Sequence, residues 1–161
     1  MTISVGDRLP QADLSRIGEN GPETVSLEQK LRGRKVVIFG LPGAFTPTCQ
    51  SAHMPSFIRT RDQFAEKGVD EIICISVNDP FVMKEWGKAT GATEAGITLL
   101  ADADGAYTKA IGMDFDAPIS GFFGRSKRYV MVVEDGVVTL FQPEQTRGCE
   151  VSSGEAVLAA M

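Results

Sequence analysis

Residues 36–49, VVIFGLPGAFTPTC, decide how this chain is read. The apolar run Val36–Phe39 has the length and β-branched content of a buried strand, and the Pro/Gly-rich loop after it ends on Cys49. Beyond it, residues 50–68, QSAHMPSFIRTRDQFAEKG, place Met54, Phe57, Ile58 and Phe64 at helical spacing. Strand, loop and helix in that order put Cys49 in the first turn of its helix. Free backbone N–H groups and the positive end of the helix dipole converge there. Such surroundings favour thiolate over thiol, and thiolate is the form that reacts. Thr46 stands three residues before Cys49, where a dithiol C-x-x-C motif would carry its other sulfur. A hydroxyl there leaves a single nucleophile with a hydrogen-bonding neighbour, which disfavours a disulfide shuttle.

Working outward, residues 1–25 are punctuated by Gly and Pro and read as loop and edge strand. Ser26 with Gln29 is a capping-box signal for a short helix ending at Gly33. Pro55 falls inside the Cys49 helix and predicts a kink. Glu71–Val77 reads as a second strand, Pro80–Trp86 as a helix, Ile97–Ala101 as a third strand and Ala106–Ile111 as a short helix. Tyr129–Val133 and Val137–Phe141 flank Asp135-Gly136, a strong hairpin signal, and Ser152 with Glu155 predicts the cap of a last helix. Strand–helix alternation followed by a hairpin and a helix predicts an α/β fold, a mixed central sheet with helices on both faces. No repeat or linker divides the chain, so residues 1–161 are expected to form one domain.

Composition narrows the function. A net charge of −5, with no basic cluster beyond the RSKR stretch at 125–128, argues against a nucleic-acid surface. No apolar run approaches a membrane span, and the first residues, MTISVGDRLPQ, lack the basic and apolar regions of a signal peptide. Three widely spaced cysteines do not suggest a disulfide framework and fit a reduced compartment, so the cytoplasm is expected. Three cysteines and one histidine without a C-x-x-C pair make a zinc site improbable, and no cofactor is expected.

Pro42, Thr46 and Cys49 form P-x-x-x-T-x-x-C, and the string PGAFTPTC with HMPSF after it resembles the peroxiredoxin family in its type II, peroxiredoxin-five-like branch. CISVNDPFVMKEWG at 74–87, LLAD at 99–102 and KRYVMVVEDG at 127–136 continue the resemblance in order, from about Val5 to the C-terminus. The resemblance implies a thioredoxin-like fold with N-terminal and mid-chain additions. It also implies a thiol peroxidase acting on hydrogen peroxide and organic hydroperoxides through a sulfenic acid at Cys49. Glutathione with glutaredoxin, or thioredoxin, would then regenerate the thiol, and a homodimer is the implied assembly. The rival outside catalysis is a thioredoxin-like binding or holdase domain. The joint presence of Pro42, Thr46, Cys49 and an arginine speaks against it.

The remaining site residues are weighed against plainer roles. A fixed positive charge near the thiolate is required, and arginine supplies one that keeps its proton. Lys127-Arg128-Tyr129 matches the family register, so Arg128 is expected in the site and Arg125 as a solvated loop charge. Thr46 would orient peroxide or cap the helix. Pro42 would shield the thiolate without offering an N–H. His53, the only histidine, lies four residues after Cys49 and is expected to pack locally and tune the thiol. A cysteine–histidine hydrolase dyad is disfavoured, since such bases come from a separate element. In similar proteins cysteines in the register of Cys149 and at the position of Cys74 are considered resolving, and Cys149 is the preferred resolving candidate here, ahead of a one-cysteine route. Cys149 follows Gly148 at an exposed position, whereas Cys74 sits in EIICISV and reads as core.

Overall fold

The computed structural model describes residues 2–146 and 148–161. Its main sheet has seven strands: β1 (Asp13–Gly18), β2 (Gly21–Ser26), β3 (Lys35–Gly40), β4 (Glu71–Ser76), β5 (Thr98–Ala101), β8 (Tyr129–Glu134) and β9 (Val137–Pro143). Strands β6 (Asp114–Ala117) and β7 (Phe122–Ser126) form a separate hairpin. The helices are α1 (Leu27–Leu31), α2 (Met54–Glu66), α3 (Pro80–Thr90), α4 (Ala106–Ala110) and α5 (Gly154–Ala160).

The order across the sheet is β2-β1-β5-β4-β3-β8-β9. Strands β3, β4 and β5 run parallel, joined through α2 and α3, and every other pairing is antiparallel. The mixed α/β sheet with helices on both faces is the expected architecture. Alternating side chains sort into two cores, one on each face. Val37, Phe39, Cys74, Val130 and Val132 meet Phe57 and Phe64 of α2, Trp86 of α3 and Val157 of α5. Val36, Ile38, Ile73, Met131 and Val133 meet Leu27 and Leu31 of α1 and Tyr107 of α4. Because β3 and β4 are covered on both faces, they read as continuous apolar runs, the usual pattern of central parallel strands.

The Asp135-Gly136 turn is as expected: both residues have positive φ, 49° and 80°, the backbone of a type I′ hairpin. Ser26 caps α1 by accepting from Gln29 N at 3.4 Å.

Four local features differ from expectation. Residues 13–26 form a full β-hairpin rather than loop with an edge strand, and its half-exposed, mixed-polarity strands carried no clear period. The β6–β7 hairpin is likewise unmarked by any clear period in the sequence. Pro55 does not kink the middle of a helix. Cys49–His53 forms a π-helical turn, closed by Met54 N on Cys49 O, and Pro55 lies in the first turn of α2, where its missing donor coincides with the handover. Finally, the cap of α5 is Ser153, whose hydroxyl accepts from Ala156 N at 3.1 Å, and not Ser152, which turns inward.

Candidate active site

The active-site loop leaves β3 at Gly40 and re-enters helix at Pro47. Thr46 closes the loop: its carbonyl accepts from Gln50 N at 3.0 Å and its hydroxyl donates to Gly43 O at 2.7 Å. Its side chain therefore faces back across the loop. Asn78, beyond the end of β4, accepts from Ala44 N at 3.0 Å and from the Ser76 hydroxyl at 2.6 Å, which ties the loop to the neighbouring strand. Phe45 takes a left-handed backbone, φ 64°, rare for a bulky residue and typical of loops whose shape is imposed by function. Its ring projects into solvent.

Cys49 lies in the π turn with its side chain fully buried. Arg128, immediately before β8 and nearly buried, donates from Nη2 to Cys49 Sγ at 3.3 Å. Its other terminal nitrogen, Nη1, stands 3.0 Å from His53 Nδ1. On the far side of the ring, His53 Nε2 stands 3.0 Å from the carbonyl oxygen of Ser152. A carbonyl only accepts and a guanidinium only donates, so the proton sits on Nε2 and Nδ1 holds a lone pair. Burial and the adjacent Arg128 charge push the His53 pKa down to about 3, against a weaker opposing effect of the Ser152 carbonyl. The ring is neutral at any physiological pH. It packs against the side of a stacked pair, Phe39 and Phe57, whose rings are 4.1 Å apart, at centroid distances of 5.0 and 5.6 Å.

Beside this group opens a cleft of about 780 Å³, lined by Pro42, Thr46 and Arg128 together with the rings of Phe45, Phe115 and Phe122. The expected quartet of Pro42, Thr46, Cys49 and Arg128 is thus gathered in space from a loop, a helix start and a distant strand.

The Redoxin family matches residues 4–158. Over 160 residues the chain is 42% identical to Peroxiredoxin-2B of Arabidopsis thaliana, covering 99% of this chain and 98% of that protein. The chain belongs to the peroxiredoxin family. Among solved structures, reduced Prx3 of Vibrio vulnificus in complex with hydrogen peroxide superposes with a TM-score of 0.92 at 46% identity, each chain covered to 99%. Peroxiredoxin 5 of Alvinella pompejana follows at a TM-score of 0.85 and 33% identity, covering 98% of this chain and 97% of that one. Relatives named peroxiredoxin-2 and peroxiredoxin 5 bear out the branch that the sequence resembles. The thioredoxin-like fold and thiol peroxidase activity come with it.

Other residues of the peroxiredoxin stand partly where expected. Arg125 is no solvated loop charge: it donates to Pro42 O at 3.0 Å, and its guanidinium lies 5.1 Å from the Phe122 ring centre. Gly43 lies directly beneath it, so a Cβ there would displace that guanidinium. Cys74 is core, and burial, reinforced by neighbouring Cys49, pushes its thiol well above the usual range, against a smaller effect of Arg128. Cys149 is half-buried rather than exposed, its sulfur 3.8 Å from the Ser152 hydroxyl. Burial raises its thiol pKa as well, though Ser152 works against this. Asn78 lies within the CISVNDPFVMKEWG block with nothing there to mark it as a site residue, and Glu144 had no motif to reveal it. One Glu144 oxygen accepts from the N–H groups of Glu150, Val151 and Ser152, at 2.9, 2.9 and 2.7 Å, and from the Ser152 hydroxyl at 2.6 Å. No helix among the described residues is long and apolar enough to cross a membrane.

Proposed function

We propose that Cys49 is the thiol that peroxide oxidises and that Arg128, Thr46 and Pro42 arrange the attack. The observation that carries this reading is the 3.3 Å hydrogen bond from Nη2 of Arg128, which lines the cleft, to the buried Cys49 Sγ. The thiolate attacks one peroxide oxygen: an S–O bond forms and the O–O bond breaks. The leaving oxygen departs with the electron pair and takes a proton to become water or an alcohol. Sulfur is oxidised to sulfenic acid as the peroxide is reduced. Negative charge moves from sulfur across both oxygens, and the guanidinium beside sulfur is set to follow it. The Thr46 hydroxyl, having donated its proton to Gly43 O, keeps lone pairs to accept a peroxide O–H. Pro42 presents apolar ring atoms and no N–H, which keeps the approach dry.

Hydrogen peroxide fits the polar corner of the cleft, and the Phe45, Phe115 and Phe122 rings suit the organic part of an alkyl hydroperoxide. An external thiol, from glutathione with glutaredoxin or from thioredoxin, then condenses with the sulfenic acid, releasing water, and a second thiol frees Cys49. This route is favoured over an internal disulfide because Cys74 is sealed in β4 and the Cys149 thiol is raised above its ordinary range. Phe45, Ile119 and Phe123 are exposed around the loop and the β6–β7 turn, so a homodimer through this apolar rim is the proposed assembly, in the cytoplasm.

Arg128→Ala should slow peroxide oxidation about 100- to 1000-fold, the scale for losing one donor aimed at developing charge. Stopped-flow peroxide reduction, with Cys49→Ser as the inactive reference, measures it. Full activity in Cys49→Ser would sink the whole scheme.

A further inference from the structure

The peroxidase scheme above uses the arginine but not the histidine behind it. Arg128 is long, and a guanidinium with one terminal nitrogen on sulfur can still pivot unless the other is held. Here the other is held: Nη1 donates to the lone pair of His53 Nδ1 at 3.0 Å. The ring cannot pivot either, because Nε2–H is anchored on the Ser152 carbonyl at 3.0 Å and the ring packs in edge and tilted contacts against the stacked Phe39–Phe57 pair. Ser152 is in turn gripped by the Glu144 carboxylate, while Glu144 N donates to the Arg128 carbonyl at 2.9 Å. The chain of contacts therefore closes on itself: Cys49, Arg128, His53, Ser152, Glu144 and back to Arg128.

We propose that His53 is a positioning residue, a neutral brace that aims the Arg128 guanidinium at the Cys49 sulfur and makes that aim depend on the docked C-terminal segment before α5. This rests on Arg128 acting in peroxide reduction. The same lone pair would be lost on protonation, which burial and the Arg128 charge suppress. A brace of this kind works only while it stays uncharged, and the buried setting keeps it so.

The competing view, that His53 only fills space beside the stacked Phe39–Phe57 pair, predicts the opposite ranking of two substitutions. His53→Phe keeps a ring of similar shape but offers Arg128 no acceptor. His53→Asn leaves a smaller side chain, yet its amide oxygen can stand near the Nδ1 position. With a brace, His53→Phe slows oxidation by peroxide roughly 10- to 100-fold, the scale for residues that orient a working group, while His53→Asn stays within a few-fold of wild type. With mere packing, Phe is the milder change. Each rate is taken by stopped-flow at a temperature where circular dichroism shows the variant folded.

The second arm repeats His53→Phe in an Arg128→Ala background. If the histidine acts through the arginine, it has nothing left to aim and the further loss vanishes. An equal loss in both backgrounds overturns the brace while leaving the role of Arg128 intact. An Arg128→Ala enzyme of normal rate removes the peroxide scheme itself, and the brace with it.

Discussion

Acid should weaken this fold through a single histidine. His53 is neutral when folded, with a pKa near 3, and in the unfolded chain titrates at its ordinary value of 6.5. Between these values the unfolded state binds a proton that the native state refuses, so stability falls as pH drops through 6.5 towards 3. At pH 5 the unfolded chain lies about 1.5 units below the free histidine value, and at about 1.36 kcal/mol per unit this amounts to about 2 kcal/mol lost relative to neutrality. For a chain of this size that is roughly 4–8 °C in Tm. The window excludes the best-paired carboxylate: Glu71 would be raised by burial, but bonds from Thr98, Lys30 and Arg34 outweigh this and hold it below its ordinary value. A depressed carboxylate contributes fully above its unfolded pKa and is lost only at lower pH. Urea denaturation at pH 7 and pH 5, comparing wild type with His53→Asn, isolates the effect. Wild type should lose about 2 kcal/mol more than the variant over that interval. Equal losses in both proteins would show that His53 is not buried neutral, and the assignment of its lone pair would go with it.

Thr46→Val should cripple peroxide reduction while leaving Cys49 alkylation by iodoacetamide largely intact, because only peroxide needs the hydroxyl; equal loss in both assays would make Thr46 a purely structural residue of the loop. Arg125→Ala should act through the loop, costing about 0.5–2 kcal/mol of stability from the cation–π contact and the Pro42 bond, and should lower peroxidase activity less than Arg128→Ala does. A larger loss of rate at Arg125 would exchange their roles. Gly154 packs against Thr60 and Ser56 where α5 crosses α2, and a Cβ there meets both. Gly154→Ala should therefore destabilise by about 1–3 kcal/mol in thermal melts, the usual scale of overpacking, and an unchanged melting temperature would refute the tight crossing.

The order of strands and helices, the Asp135-Gly136 turn and the placing of Cys49 at a helix start were legible because each rests on local rules. Continuous apolar runs mark β3, β4 and β8, since both faces of these strands are covered. Positive φ selects Asp-Gly, and helical spacing marks α2. Half-exposed elements leave no such trace, and so the β1–β2 and β6–β7 hairpins did not stand out.

Within the site, Pro42, Thr46 and Cys49 could be read together because they share one loop, and Arg128 through the family pattern. What lies between them could not. The sequence places His53 four residues from Cys49, which describes spacing on one helix and says nothing of Arg128, 75 positions further along the chain. Only the antiparallel pairing of β8 against β3 brings the arginine over the π turn. Only the docking of α5 on α2 presents the Ser152 carbonyl that decides which ring nitrogen keeps the proton. A local pattern specifies backbone conformation and which face is apolar, because those depend on neighbours along the chain. Which side chains share a hydrogen bond depends on where distant segments meet, and the whole sheet has to form before that is decided.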